Sequence, residues 1–196
     1  MIAIVDYGAG NIFSVKNALD FLGLESQLTD DAAAIQAADA IILPGVGAFP
    51  SAMQMLKERH LVSVLQTESK KKPFLGICLG MQLIFEKGYE FEACDGLGLI
   101  PGTVEKIPAN GFIIPHMGWN SVENLRSGLF TGIDQGAYVY YVHSFAPEVN
   151  ADTIATTTYG VPFSAAIRKD NFYGTQFHPE KSASIGAQIL QNFLTL

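Results

Sequence analysis

Lys72-Pro73-Phe74-Leu75-Gly76-Ile77-Cys78-Leu79-Gly80-Met81-Gln82-Leu83-Ile84-Phe85-Glu86 decides how this chain reads. The short apolar run Phe74 to Ile77 has the composition of a buried strand. It meets a helical pattern, Met81 to Glu86, with no spacer, and Gly-x-Cys-x-Gly stands at the junction. A glycine-flanked nucleophile between strand and helix is the thiol form of the nucleophile elbow, which pushes one side chain out at the top of a parallel sheet. Both glycines are needed, because a Cβ at either position would crowd the turn. A cysteine there also sits at a helix N-terminus, where the dipole and unpaired N–H groups favour the thiolate. The competing reading is a buried, inert cysteine, a common fate of free thiols.

Working outward, the first half alternates strand and helix signals. Ile2-Ala3-Ile4-Val5 reads as a fully buried strand, followed by a Gly-rich turn and a helix with Ile12, Val15, Leu19 and Leu22 on one face. Glu25 to Thr29 is a second strand, and Asp30 or Asp31 can cap the Ala-rich helix Ala32 to Ala38. Ala40-Ile41-Ile42-Leu43 is a third strand, ending in Pro44-Gly45-Val46-Gly47. One long helix is predicted from Pro50 to Lys70, with the proline in its first turn. Strands separated by helices of this length imply a parallel sheet covered on both faces.

The second half changes character. Gly102 to Ile107, Tyr138 to Val142, Thr153 to Thr158, Ser164 to Arg168 and Phe172 to Phe177 read as strands with few helices between them. They predict an antiparallel or mixed extension of the sheet. Ser184 to Leu194 closes the chain as an amphipathic helix with Ile185, Ile189, Leu190 and Phe193 as its stripe. With no repeat or linker, residues 1–196 form one α/β domain in this reading: an open, largely parallel sheet with helices on both faces and an antiparallel C-terminal extension.

The 196 residues are 48% hydrophobic, enough for one full-sized core. A net charge of −7 argues against nucleic acid or an anionic membrane as partner. No leader-like segment or membrane-length apolar run is visible, and the two cysteines, Cys78 and Cys94, are read as free thiols in a reducing cytoplasm.

A nucleophilic cysteine needs a base, and the chain offers His60, His116, His143 and His178. His60 lies in the charged stretch Lys57-Glu58-Arg59-His60 and reads as solvated. His178 lies in Thr175-Gln176-Phe177-His178-Pro179-Glu180 at a strand end. Residues i and i+2 of an extended segment point the same way, so Glu180 can reach the His178 ring. A carboxylate there fixes the tautomer and stabilises the imidazolium. Cys78, His178 and Glu180 therefore make a nucleophile, base and orienter; a strand-end ion pair is the plainer alternative. A zinc-deaminase reading of His-x-Glu fails for want of Cys-x-x-Cys, so no metal or cofactor is expected. Tyr7-Gly8-Ala9-Gly10-Asn11 hints at a dinucleotide turn, but Phe13 stands where the third glycine belongs. Acyl transfer requires an oxyanion hole. Leu79 N–H is one donor in elbow geometry, and the loop Pro44-Gly45-Val46-Gly47-Ala48 is placed to supply the second through Val46 or Gly47.

Gly76-Ile77-Cys78-Leu79-Gly80-Met81-Gln82 and Gln176-Phe177-His178-Pro179-Glu180 resemble the signature of class I, triad-type glutamine amidotransferases, whose sheet has a flavodoxin-like core. Four further stretches are similar to the glutaminase subunits of imidazole glycerol phosphate synthases: Asp6 to Val15, Pro44 to Phe49, Pro115-His116-Met117-Gly118-Trp119-Asn120 and Tyr141-Val142-His143-Ser144-Phe145. The resemblance implies that Cys78 attacks the side-chain amide of L-glutamine and that ammonia leaves. It places Gly47, Gln82, Glu90, His143, Ser144 and Phe145 around the substrate. The choice of Glu90 among Glu86, Glu90 and Glu92 rests on distance from Cys78. With Phe145 in place of the family's frequent Tyr, that strand is expected to offer backbone groups.

Free ammonia becomes ammonium in neutral water, so a glutaminase without an acceptor wastes its product, and this chain is too short to hold one. The resemblance implies a separate (β/α)8-barrel cyclase as heterodimer partner, with Asn11, Trp119, Tyr140 and Lys181 near the interface. Glutaminases serving other acceptors, such as pyridoxal phosphate or anthranilate synthases, are the nearest rivals. A non-catalytic nucleotide-binding module built on Gly8 and Gly10 is the rival of another class. The glycine-flanked Gly45-Val46-Gly47 also predicts a peptide that can turn over, hence low activity until the partner is loaded.

Overall fold

The computed structural model describes all 196 residues. In chain order the elements are β1 (Ile2–Val5), α1 (Ile12–Phe21), β2 (Ser26–Thr29), α2 (Ala32–Ala37), β3 (Ala40–Gly45), α3 (Phe49–Glu58), α4 (Val62–Glu68), β4 (Phe74–Cys78) and α5 (Leu79–Leu83). The second half adds β5 (Phe85–Gly88), β6 (Cys94–Asp95), β7 (Ile100–Lys106), β8 (His116–Ser121), β9 (Tyr138–His143), β10 (Phe145–Pro147), β11 (Thr153–Tyr159), β12 (Val161–Lys169), β13 (Phe172–Thr175) and α6 (Ala183–Phe193).

The central sheet has seven strands in the order β11-β12-β13-β4-β3-β1-β2. β2, β1, β3, β4 and β13 run parallel, while β12 and β11 add antiparallel strands at one edge. Both faces are buried, and strand alternation shows how. Ile2, Ile4, Ile42, Leu75 and Ile77 belong to one core together with α1 and α6 residues. Ala3, Val5, Ile41, Leu43 and Phe74 belong to a second core with Ile35, Met53, Leu56 and Leu65 of α2, α3 and α4. A strand apolar at every position is what a sheet covered on both sides requires.

Three expectations need correction. The long helix from Pro50 to Lys70 is two helices, broken at Arg59–Leu61, where His60 has φ of 56°. The break lets both Leu56 and Leu61 bury completely. The helical pattern after Cys78 stops at Leu83, and Phe85–Gly88 is a strand pairing in parallel with β7. Finally, Gly102–Ile107 and Tyr138–Val142 do not extend the central sheet. β7 joins a four-stranded sheet ordered β10-β7-β5-β6, and β9 pairs only with β8 as a ribbon. Strand propensity marks these segments correctly but carries no information on which partner they choose. Asp31, not Asp30, caps α2, its Oδ1 accepting from Ala33 N–H at 3.1 Å. No helix is long and apolar enough to cross a membrane.

The sheet delivers the elbow by close contact. A Cβ on Gly80 would lie 1.7 Å from the Leu43 carbonyl oxygen of β3, and one on Gly76 would lie 2.6 Å from Gly80 O. These are backbone obstacles that cannot rotate aside. Gly80→Ala should therefore lower stability by roughly 3 kcal/mol or more, measured as a shift in the urea midpoint at unchanged slope. A change below 1 kcal/mol would show that strand and helix are free to part.

Candidate active site

Cys78 ends β4 and precedes α5 with φ of 54° and ψ of −110°, a conformation that residues bearing a Cβ seldom adopt. Its neighbours hold it there. Gly45 of β3 pairs with Cys78 on one side, and Thr175 of β13 pairs with the preceding Ile77 on the other. The thiol is almost buried and borders a cleft of about 360 Å³. Because β13 is in register with β4, the residues that follow it, Gln176 to Glu180, arrive beside the elbow.

His178 Nδ1 lies 2.8 Å from Glu180 Oε1, and both side chains are shielded from solvent. The turn that carries them is fastened to β9: His178 N–H donates to Tyr140 O at 2.9 Å. Ser182 Oγ accepts from Tyr140 N–H and donates to His178 O. Burial works against a charged ring, but the hydrogen bond to Glu180 and the nearness of the Cys78 sulfur and the Glu180 carboxylate outweigh it. The His178 pKa is raised, and the imidazolium is favoured. In the resting arrangement His178 Nε2 has no hydrogen-bond partner. Cys78 Sγ instead lies 3.8 Å from Val142 O and accepts from Gln176 Nε2 at 3.7 Å. Nε2 is thus free to engage the thiol or a substrate nitrogen, and such bonds tighten in the substrate complex.

The cleft gathers Val46, Gly47, Cys78, Leu79, Gln82, Glu90, His143, Ser144 and Phe145, together with Pro115 and Val142. Leu79 is the first residue of α5, where backbone N–H groups lack intrahelical acceptors. Val46 and Gly47 border the same space, and Gly47 has φ of 99°, a turn that glycine makes without strain. Of the three candidate carboxylates only Glu90 borders the cleft. Its Oε2 also accepts from Phe49 N–H at 2.8 Å, so it caps α3 just after the Gly45–Ala48 loop. Glu86 instead accepts from Gly102 N–H, and Glu92 is exposed.

His143 is buried, and both ring nitrogens are taken by His116 and by Phe145 O, so it offers the cleft backbone alone. The same Phe145 carbonyl accepts from Gln82 Nε2 at 2.8 Å. Trp119, Tyr140 and Lys181 form an outward cluster: the two rings meet edge to face at 6.1 Å, and Lys181 Nζ stands 5.9 Å above Tyr140. Asn11 precedes α1 without capping it through its side chain. His60 is exposed. Sequence assigns no role to Gln176, which follows the end of β13 and reaches Cys78 Sγ through its side-chain amide. His116 and Asn120 were likewise without one, and nothing in their spacing marks them.

Burial lowers the pKa of His143 to about 3 and of His116 to about 4, so both rings are neutral at physiological pH. A histidine whose folded pKa is depressed contributes stability that is present above its unfolded pKa of about 6.5 and is lost as pH falls toward the folded value. Acidification from pH 6.5 to about 4.5 should thus destabilise the chain by up to about 1.4 kcal/mol per pH unit for fully buried His143. Pairing of His178 cannot mask this, because a raised pKa leaves its contribution complete below pH 6.5. Urea unfolding across this range tests it, and a flat profile would mean the two rings are solvated.

The family model described as glutamine amidotransferase class-I matches residues 3–196. The curated relatives named imidazole glycerol phosphate synthase subunit HisH from Bacillus thuringiensis (strain Al Hakam) and Lacticaseibacillus casei (strain BL23) are each 50% identical over 196 residues. The alignments cover 98% of this chain and 93% and 94% of theirs. Among solved structures, a glutamine amidotransferase superposes with a TM-score of 0.77 at 16% identity, covering 99% of this chain and 97% of that one. A chain in the structure of PurLQS from Thermotoga maritima gives 0.74 at 19% identity with the same coverage. At such identities these two likenesses bear on the fold alone. By the full-length family match and the half-identical relatives, the chain belongs to the class-I glutamine amidotransferases and, within them, to the group of the HisH subunits.

Proposed function

We propose that the chain is the glutaminase half of a two-component synthase, hydrolysing L-glutamine to glutamate and passing the ammonia to a cyclase subunit. The observation that carries this reading is a thiol on a strand–helix elbow at the cleft, next to a buried His178–Glu180 pair whose His178 Nε2 has no hydrogen-bond partner. His178 takes the thiol proton and Cys78 Sγ attacks the amide carbon. The carbonyl oxygen then takes the charge and is met by Leu79 N–H and an N–H of Val46 or Gly47. Imidazolium gives its proton to the departing nitrogen, ammonia leaves, and a γ-glutamyl thioester remains. Water deprotonated by His178 attacks the thioester, a second oxyanion forms in the same hole, and glutamate is released. Glu180 keeps the ring in the tautomer that presents Nε2 to the chemistry.

Recognition fits a free amino acid. Glu90 suits the α-ammonium group, and backbone of the Val142 to Phe145 segment suits polar ends of the ligand. Half identity to the HisH subunits supports a synthase that makes imidazole glycerol phosphate as the destination of the nitrogen. The exposed cluster of Trp119, Tyr140 and Lys181, with Asn11 at the start of α1, suits a (β/α)8-barrel cyclase docked over the cleft mouth. Trp and Tyr are the residue types that anchor such interfaces.

Cys78→Ala should reduce glutamine-dependent turnover of the reconstituted synthase by roughly 10³-fold or more while turnover with added ammonium salt persists. Loss of both together would overturn the role given to Cys78. Glutaminase activity should be low for the chain alone and rise when the cyclase carries its own ligand. Equal rates with and without that ligand would remove the Gly45-Val46-Gly47 loop as the point of control.

A further inference from the structure

One chain of hydrogen bonds runs from the β8–β9 ribbon to the nucleophile, and backbone groups fix its direction from both ends. At the outer end, Asn120 Oδ1 accepts from Ser121 N–H at 2.8 Å and Nδ2 donates to Thr158 O at 3.1 Å. The amide orientation is therefore imposed by peptide groups whose roles cannot change. The remaining Nδ2 hydrogen points to His116 Nε2 at 3.3 Å, which must be the bare nitrogen. His116 then carries its proton on Nδ1 and donates to His143 Nε2 at 3.0 Å. His143 in turn carries its proton on Nδ1, facing the Phe145 carbonyl at 2.9 Å.

Starting from the inner end gives the same answer. The Phe145 oxygen can only accept, so His143 Nδ1 must hold a hydrogen and Gln82 must present its NH₂ group, at 2.8 Å. The second Nε2 hydrogen of Gln82 goes to Gln176 Oε1 at 3.1 Å. That fixes Gln176 with its own NH₂ turned to Cys78 Sγ at 3.7 Å. Two independent anchors demand one set of tautomers and amide orientations. Gln176, His116 and His143 are buried, and His116 is stacked on Tyr141 and on Tyr159 at 4.7 Å and 4.1 Å, so no ring can turn over in place.

We propose that Gln176 is a catalytic residue that donates a hydrogen bond to the Cys78 thiolate, and that Gln82, oriented by the Phe145 carbonyl, is the positioning residue that holds it in the donating orientation. The inference rests on Cys78 being the nucleophile. It adds two consequences. When His178 removes the thiol proton, the contact from Sγ to Val142 O loses its donor, and Gln176 N–H is the group left to stabilise the sulfur anion. With both Nε2 hydrogens committed internally, Gln82 has only its carbonyl oxygen for the cleft. The substrate group beside Gln82 must accordingly be an N–H donor, as an amide or ammonium is and a carboxylate is not.

The ionisable groups around Cys78 are His178 with Glu180 behind it, Tyr7 from the turn after β1, and His143, which faces His178 from β9. None of these is altered by a change at position 176, so the pH dependence of thiol alkylation by iodoacetamide isolates the Gln176 contribution. In the full-length chain, Gln176→Met, near in volume but without the donor, should raise the alkylation midpoint by about one pH unit. The neutral-pH rate should fall about tenfold. Gln176→Glu, which keeps the shape and reverses the polarity, should raise the midpoint further. An unmoved midpoint in whichever variant retains a cooperative unfolding transition overturns the role. For the positioning residue, Gln82→Leu removes the amide that holds Gln176 Oε1 and should shift the alkylation midpoint in the same direction by a smaller amount. An unmoved midpoint in a Gln82→Leu chain that unfolds cooperatively overturns the positioning role. Alkylation needs no glutamine, so failure of the glutaminase reading would leave these results intact and is told apart from failure of the Gln176 assignment.

Discussion

Everything in the site depends on one backbone constraint, the left-handed bend of Cys78 between β4 and α5. A residue with a Cβ holds φ of 54° only where its surroundings over-determine it. The parallel pairing of β3, β4 and β13 does so from both sides. α5 then lies so close to β3 that position 80 has no room for a methyl group. The bend places Cys78 at the cleft, with Leu79 beside it on the same lining. Register then carries the constraint outward: once β13 is level with β4, the chain leaving it has no path except past the thiol, which brings Gln176, His178 and Glu180 into reach.

The electrostatics follow from which histidines find an acidic neighbour. His178, His143 and His116 are all buried, yet His178 is pushed toward the charged form and the other two toward the neutral one. Glu180 and the thiol account for the first. Partners that are neutral rings, amides and carbonyls account for the others, because they can bond an uncharged imidazole but cannot compensate a buried charge. One ring can therefore move protons while its neighbours act as fixed links.

The fold was legible wherever local pattern and tertiary role agree. β1, β3 and β4 are apolar at every position because both sheet faces are covered, and Gly-x-Cys-x-Gly marks the elbow because only that turn needs both glycines. The contact of His178 with Glu180 was expected from the two-residue period of an extended segment, but β13 ends at Thr175 and a short 3-10 turn, Pro179–Lys181, is what brings the carboxylate to the ring. What could not be read depends on long-range partners. Phe85 to Gly88 continues a helical pattern in sequence but is drawn into pairing with β7, and the apolar run of β9 says nothing of its pairing with β8 alone. The break at His60 was hidden because Lys57-Glu58-Arg59-His60 contains no glycine or proline to mark a helix stop. The amide and imidazole links from Asn120 to Gln176 join residues from four separate stretches, and no spacing announces them.

The β8–β9 ribbon alternates strictly. Met117, Trp119, Tyr138 and Tyr140 face away from the core, while His116, Val139, Tyr141 and His143 are buried. Since the ribbon forms its own two-stranded sheet, its two rows of side chains can accumulate substitutions independently. A lineage could exchange the outer row to suit a different acceptor enzyme while the inner row, bound to the glutamine chemistry, stayed as it is. On the proposed reading, the period-2 geometry of one ribbon thereby separates the evolution of partnership from the evolution of catalysis.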